Sequence, residues 1–482
     1  MERQDEMKKR RDTGGARRLF IPTDQPAPTV MAYGIGSVNT SQYSIEITNQ
    51  MDTKEMKPPY KVPSMEEIRA LPWNGFTAAS TFSGCGGSST GYRMAGFKLL
   101  WASEFIDAAR DSYKANAAPH TIVDGRDIRE VQPEDILKAT GLNPGELDLF
   151  DGSPPCASFS TAGKREAGWG KVKKYSDKEQ RTDDLFFEYS RLIRGLQPKT
   201  FVAENVSGLI KGTAKGYFLE ILKELKSCGY RVSCKVLDAQ WLGVPQARQR
   251  TIFIGVREDL GIDPVHPKPL AYRYSVRDAL PWIVKAEHDT SGQFSVGDIT
   301  DRPACTVTTS QHLFATAGIE QIIAIGGNGA FGEEKWQSPN LPARTIGASP
   351  NTGNGLAGGG DLLVTKVEPE TDITRYAIGA EWDNLKPGEQ SDKYFNLVRT
   401  DPDKPSPTVC GSHGNSSTAG ITHPHEKRKF TIAELKRICG FPDDFILKGT
   451  YAQQWERCGR AVPPVMMSHI AATVRDEILR KL

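Results

Sequence analysis

No stretch of eighteen consecutive apolar residues occurs in the chain, and its N-terminus shows no charged, apolar and small-residue succession of a secretory leader. Neither a membrane span nor export is expected. Cysteine is scarce, 8 in 482 residues, and neither a Cys-x-x-Cys pair nor a Cys/His cluster at zinc spacing is present. Reduced thiols fit that pattern better than disulfides or a metal site, so no metal is expected. Net charge is small as well, +2 from 61 Lys+Arg and 59 Asp+Glu. Glycine and proline, 46 and 31, are too few for a collagen-like chain. What is present is 38% hydrophobic residues, enough for a sizeable core, in a length that predicts two to four structural units. The expectation is a soluble, cytoplasmic protein.

The near-neutral total conceals an uneven distribution. Glu258 to Arg399 holds 19 acidic and 12 basic residues, which leaves 49 basic against 40 acidic elsewhere. A polyanion partner should therefore not be sought only in the middle of the chain. Residues 1 to 74 open with Lys8-Lys9-Arg10-Arg11 and Arg17-Arg18 and continue without sustained periodicity. They read as a flexible N-terminal extension, the alternative being a basic arm on nucleic acid.

From Phe76 short apolar runs alternate with helix-like segments. The runs are Phe76 to Phe82, Lys98 to Ala102, Leu147 to Phe150, Thr200 to Ala203, Arg231 to Leu237 and Thr251 to Val256. Asp107 to Asn116, Asp184 to Leu196 and Tyr217 to Cys228 are the helical candidates between them. Such alternation predicts an α/β fold, a doubly wound parallel sheet over residues 75–257 with ligands at the carboxyl ends of its strands. Over residues 258–400 the alternation dissolves into Gly-, Pro- and Thr-rich sequence, which reads as a second, irregular domain. A turn-then-strand pattern recurs at Arg302 to Val307, Leu341 to Ile346 and Lys404 to Val409. Residues 401–482 return to helical character. Thr431 with Glu434 forms a capping-box pattern, and Met466, Ile470, Val474 and Ile478 line one face of a last helix, Val465 to Leu482.

Four stretches carry chemistry. Phe82-Ser83-Gly84-Cys85-Gly86-Gly87 follows a strand and precedes a helix, where glycines permit a tight turn and close approach of a ligand. A packing turn explains that stretch nearly as well. Glu104, before Phe105, follows the apolar run Leu99-Leu100-Trp101 and suits the two hydroxyls of a ribose, and Asp127-Ile128, read as the end of a third strand, suits an adenine amino group. Together they favour a nucleoside-bearing cofactor. Asp151-Gly152-Ser153-Pro154-Pro155-Cys156 presents a thiol at a strand end; a nucleophilic role needs its pKa brought down from about 8.5. Glu204 ends the run Phe201-Val202-Ala203 as a strand-end acid or a helix cap, and Arg248 and Arg250 alternate so as to face one way, toward an anion or solvent.

In order, spacing and residue type these stretches resemble the C5-cytosine DNA methyltransferase family. The matching segments are Phe82 to Gly87, Pro154-Pro155-Cys156, Glu204-Asn205-Val206, Gln246-Ala247-Arg248-Gln249-Arg250 and Gly459-Arg460-Ala461-Val462-Pro463-Pro464. The resemblance implies a class I methyltransferase (Rossmann-like) sheet, a target recognition domain inserted over 258–400, and double-stranded DNA as partner of a monomer. It also implies S-adenosyl-L-methionine bound by Phe82, Ser83, Gly84, Cys85, Gly86, Glu104, Phe105, Asp127, Ile128, Pro155, Arg460 and Ala461. Catalysis falls to Cys156, Glu204, Arg248 and Arg250. Cys156 is the nucleophile at C6 of a cytosine flipped out of the stack, Glu204 holds N3 and the exocyclic amine, and Arg248 supports the ring oxygen and the carboxyl. The basic, glycine-bearing stretch Ala157 to Asp183 suits a loop closing over DNA.

Two positions depart from the family pattern: Ala157 stands where Gln is usual, and Arg460 stands where Asn is usual. A guanidinium about 5 Å from a sulfonium is repelled by about 3 kcal/mol at an effective dielectric of 20, unless an anion lies between them. Carboxy-S-adenosyl-L-methionine supplies such an anion, which makes DNA cytosine 5-carboxymethyl transfer an expectation to test. Pairing of Arg460 with a nearby acid or a DNA phosphate is the competing explanation. A relative acting on RNA carries a Cys-Phe-Thr signature absent here, and a DNA-binding module without turnover has no need of the retained Cys156 and Glu204. The recognised bases, and the setting in a phage or a restriction-modification system, are left open by the residues.

Overall fold

The computed structural model describes residues 57–155, 173–175, 178–180, 184–210, 215–283, 322–325, 335–336, 362–365 and 369–482. Helix α1 (Met65–Ala70) precedes β1 (Thr77–Thr81), α2 (Gly87–Met94), β2 (Lys98–Ser103), α3 (Asp107–Asn116), β3 (Ile122–Asp124), α4 (Pro133–Thr140) and β4 (Leu149–Gly152). The short strands β5 (Lys173–Tyr175) and β6 (Lys178–Gln180) pair with each other, and α5 (Leu185–Leu196), β7 (Thr200–Val206), α6 (Lys215–Ser227), β8 (Tyr230–Asp238) and β9 (Gln249–Arg257) complete the first half. Beyond lie α7 (Val276–Ala279), the three-stranded set β10 (Ile322–Ile325), β11 (Lys335–Trp336) and β12 (Leu362–Thr365), then α8 (Ala377–Trp382), β13 (Val398–Arg399) and β14 (Ile421–Thr422). The chain closes with α9 (Ile432–Ile438), α10 (Tyr451–Arg460) and α11 (Pro464–Glu477).

Seven strands form one sheet in the order β3-β2-β1-β4-β7-β9-β8. The expected doubly wound α/β fold is present, with one correction to its parallel sheet: β9 runs antiparallel to both β7 and β8. The cause is local. Only the ten residues from 239 to 248 separate β8 from β9, too few for the helical crossover that a parallel neighbour requires.

Both faces of the sheet are covered, so its strands read as apolar runs rather than as alternation. On one face Phe150, Phe201 and Phe253 pack with Tyr189, Leu192 and Ile193 of α5 and Ile221 and Leu225 of α6. On the other, Leu99, Leu149, Val202 and Ile254 meet Tyr92 of α2 and Met466, Ile470 and Val474 of α11, whose predicted stripe is buried throughout. Gly91 allows that contact, since a Cβ there would sit 2.6 Å from the Met467 side chain. Helix α11 stops at Glu477, five residues before the predicted end.

Three other boundaries shift. The third strand ends at Asp124, so Asp127 and Ile128 lie in the following turn. Residues 57–74 are not a loose extension. Ser64 and Glu67 close a capping box on α1, and Met65 and Ile68 enter a third core with Phe430, Leu435 and Trp455; residues 1–56 lie outside the described residues. Val276, Ala279, Leu280 and Ile283 belong to that same core, so the opening stretch of the predicted recognition domain packs against the C-terminal return. A smaller cluster of Ile373, Ile378, Trp382, Leu385 and Leu397 organises the stretch before β14. Of the three turn-then-strand copies the first two lie outside the described residues, and the third is a turn with a single bridge from Ser406 to Gln246.

Candidate active site

Strands β1, β2, β3, β4 and β7 are parallel, so their carboxyl ends share one edge of the sheet. From β1 the chain proceeds outward on one side to β2 and β3 and on the other to β4 and β7, which makes the β1/β4 boundary the crevice where ligands of such sheets bind.

At the end of β1, Phe82 takes φ +52°, a left-handed value that is costly for a side-chain-bearing residue. Gly84 at φ +57° has no atom within 4 Å of where a Cβ would stand, and Gly86 at φ +99° caps α2. The Glu104 carboxylate, at the end of β2, accepts the Gly84 amide at 2.8 Å and the Ile106 amide at 2.7 Å. Burial raises its pKa, and the two amides and the Arg457 charge act against that rise. Each carboxylate oxygen keeps a second lone-pair direction, which fits a pair of ribose hydroxyls. Ser83 donates to Ser80, and Phe105 is half-buried. Two assigned side chains turn away from the crevice. Cys85 is buried in the third core, where desolvation pushes its thiol up to about 12, and Ile128 is buried against the sheet. These two offer a ligand only their backbone. Asp127 is half-buried and ion-paired with Arg129 at 3.0 Å; Arg129 also holds Asp184 at the start of α5.

Beyond β4 the described chain reaches Pro155, half-buried, and Cys156 lies outside the described residues, as does most of the loop from Ala157 to Asp183. The neighbouring strand fixes the chain as far as Pro154. Gly152 pairs with Ala203, one residue before Glu204, and Asn205 donates from Nδ2 to the Pro154 carbonyl at 3.2 Å. Arg250 Nε lies 2.7 Å from Glu204 Oε1, with both side chains largely buried.

Arg248 does something different from what its spacing suggested. Its guanidinium donates to the carbonyls of Val409 at 3.2 Å, Gly459 at 2.9 Å and Ala461 at 3.0 Å. Complete burial, aided by the Arg250 charge, pushes it down to about 9. It ties the β8–β9 turn to the C-terminal return, and the ion pair with Glu204 belongs to Arg250. The pinned segment reaches the start of α2: a Cβ on Gly87 would meet the Val462 carbonyl at 2.4 Å and the Ala461 Cβ at 3.1 Å. Arg460, last residue of α10, pairs with Glu456 at 2.7 Å and lies along Gly411. Among the described residues no group of three or more His, Cys, Asp or Glu side chains is placed to hold a metal ion, and no helix is long and apolar enough to cross a membrane.

Residues 76–476 match the model of the C-5 cytosine-specific DNA methylase family. The chain belongs to this family. It is 35% identical to the type II methyltransferase M.NgoPII of Neisseria gonorrhoeae over 417 residues, covering 86% of this chain and all of that protein. It is likewise 35% identical to the type II methyltransferase M.FnuDI of Fusobacterium nucleatum, over 83% of this chain and 95% of that one. A solved structure described as a DNA modification methyltransferase encoded within an E. coli prophage superimposes with a TM-score of 0.55 at 19% identity, over 84% of this chain and 100% of its own, which supports the class I fold.

For this family member three contributors escaped the sequence reading. Asn205 was visible only as part of a motif, and Glu456 is an i,i+4 partner that helical spacing would have exposed. Asp151 is a charged residue inside an otherwise apolar strand, and it is completely buried.

Proposed function

We propose that the chain transfers a methyl group to C5 of a cytosine in duplex DNA, acting as a monomer, with Cys156 forming the covalent bond to the ring and Glu204 moving the proton. The observation that carries this reading is the Glu204–Arg250 pair beside the strand end that leads to Pro155 and Cys156. The target base leaves the stack, and the Cys156 thiolate forms a bond to C6. As electron density moves toward N3, Glu204 supplies a proton there and receives the exocyclic amine. Arg250 keeps the carboxyl in place and faces the ring oxygen. S-adenosyl-L-methionine, the family's donor, supplies an electrophilic methyl when bound. Removal of the C5 proton and departure of Cys156 restore the aromatic ring. The crevice formed by Phe82 to Gly86, Glu104, the Asp127 turn and Pro155 fits a nucleoside-bearing donor.

For the donor, the carboxylated alternative rests on Arg460 requiring an anion. Glu456 provides one at 2.7 Å, and this favours S-adenosyl-L-methionine. The bacterial type II relatives favour a modification role in the cytoplasm of a prokaryotic or phage-infected cell. Duplex DNA carrying 5-fluorocytosine tests the chemistry, because fluorine at C5 blocks the last elimination. A denaturation-resistant complex with the wild type and none with Cys156→Ser is the expected result. Trapping by Cys156→Ser, or modification of RNA rather than DNA, would overturn the reading.

A further inference from the structure

The buried Asp151 is used by none of the steps above. It lies on β4, five positions before Cys156 and against β1, at the crevice of the sheet. Its side chain is 0% exposed and gathers three hydroxyl donors: Ser80 at 2.7 Å and Ser88 at 2.9 Å on one oxygen, Tyr92 at 2.9 Å on the other. Ser80 is also bonded to Ser83 of the cofactor loop at 3.0 Å, and Ser88 sits in the first turn of α2, whose amide dipoles favour an anion. The carboxylate therefore lies under the loop from Phe82 to Gly86 and is tied to both of its ends. Tyr189 of α5, Tyr113 of α3 and Glu204 of β7 are the other titratable groups that face it. Among the described residues none of its partners is a cation.

We infer that Asp151 is a buried counter-charge for the sulfonium of the donor, favouring the cationic donor over the neutral thioether product. Donor and product carry the same nucleoside and the same amino acid end and differ by one methyl and one positive charge. A fixed negative charge beneath their site acts on that difference alone, and hydroxyl donors hold it without neutralising it. Burial pushes the carboxyl up to about 6, with the hydroxyls opposing the rise. Its charge is therefore present at pH 8 and is lost as the pH falls through that value. The inference rests on the proposed cofactor site.

Calorimetry without DNA tests it, using S-adenosylmethionine and S-adenosylhomocysteine as the two probes. At pH 8, Asp151→Asn should weaken the sulfonium probe on the order of tenfold and leave the thioether nearly unchanged. Between pH 8 and 5.5 the wild type's preference, taken relative to that of the Asn variant, should fall. Tyr92→Phe removes one hydroxyl from the carboxylate but keeps its charge, so it should move the midpoint of that fall to higher pH; it also serves if the Asn variant does not fold. Equal weakening of both probes, or a preference that does not change with pH, would mean that Asp151 only packs the loop. If Glu104→Ala leaves both affinities intact, the cofactor site itself is misplaced and the inference falls with it.

Discussion

Glu204 and Arg250 meet diagonally across the antiparallel β7–β9 ladder, Oε1 to Nε at 2.7 Å. Arg250 stands opposite Val206 and Glu204 opposite Ile252, so the two side chains share one face and reach each other across a diagonal offset of two residues. The arrangement separates two arginines that the sequence presents as equivalent. One pairs with Glu204 of β7; the other is locked into backbone carbonyls.

That separation is measurable. Arg250→Ala should slow single-turnover methylation by about two orders of magnitude, the scale of losing a charge-bearing group at a reacting centre. Arg248→Ala should act first on stability. It strands three carbonyls that its guanidinium now satisfies, a loss of about 3 kcal/mol or more. Parallel denaturant titrations and rapid-quench assays distinguish the two, and an Arg248→Ala protein of unchanged stability but no activity would reverse the assignment.

Much of the fold was legible because its elements obey local rules. Asp107–Asn116 is a helix at the predicted bounds, and Thr431 with Glu434 caps α9 as their spacing demands. Glu104, directly after β2, was equally visible as an acid closing an apolar run, whereas Glu204, read as a strand end, lies inside β7, which continues to Val206. What could not be read was partnership across long separations. The Arg248 carbonyl contacts join residues more than 160 positions apart, and the seating of Val276 and Ile283 beside Phe430 depends on how the chain returns. The turn after β3 misled for another reason: Asp124 is a polar residue inside the strand, and apolar Ile128 lies beyond its end.

Asn205 should position the nucleophile's segment rather than touch substrate. Its amide holds the Pro154 carbonyl, and Pro154 stands two residues before Cys156. Asn205→Ala is expected to lower kcat roughly tenfold with little change in KM for DNA, because misplacing a reacting group by a fraction of an ångström is costly to rate. A matched rise in KM with unchanged kcat, measured on one oligonucleotide, contradicts this role.

The boundary of the recognition segment can be tested by exchange. A chimera replacing residues 284–399 with those of a relative should fold more stably than one replacing 258–400, since the latter removes Val276, Ala279, Leu280 and Ile283 from the third core. The difference should reach several kcal/mol, about 2 or more for each buried aliphatic left without its partners. Equal melting temperatures would show that the relative's own sequence refills that core.

Acid should unfold the C-terminal return early. Burial acts to raise the Glu434 pKa, but the Arg428 guanidinium at 2.8 Å and the Thr431 amide more than reverse this and hold it at about 2. A carboxyl held below its unfolded value stabilises the fold fully above about pH 4.5, and that stabilisation is lost as the pH falls toward 2. Its size is about 3 kcal/mol. Glu434→Gln should be destabilised by a similar amount at pH 7 and should lose less than the wild type on going to pH 3, as read from denaturant midpoints.

Donor choice by Arg460 is expected to depend on whether it already has an anion. The pair with Glu456 is partly exposed, so it contributes under about 1 kcal/mol to folding, and removal of Arg460 should not unfold α10; Glu456 also holds the buried Arg457 at 2.9 Å, so Glu456→Gln should cost more stability. It nevertheless places a carboxylate on the guanidinium, which competes with any bidentate grip on a carboxylated donor. Wild-type enzyme should therefore produce 5-methylcytosine from S-adenosylmethionine and little 5-carboxymethylcytosine from the carboxylated donor, as nucleoside mass spectrometry of the treated DNA reads directly. Glu456→Gln removes that competing carboxylate and should raise the share of carboxymethyl product, whereas Arg460→Asn should abolish that product and keep methylation. A wild type that carboxymethylates as fast as it methylates, with Glu456→Gln giving no further gain, would show that Arg460 leaves Glu456 for the donor and that the ion pair does not set the choice.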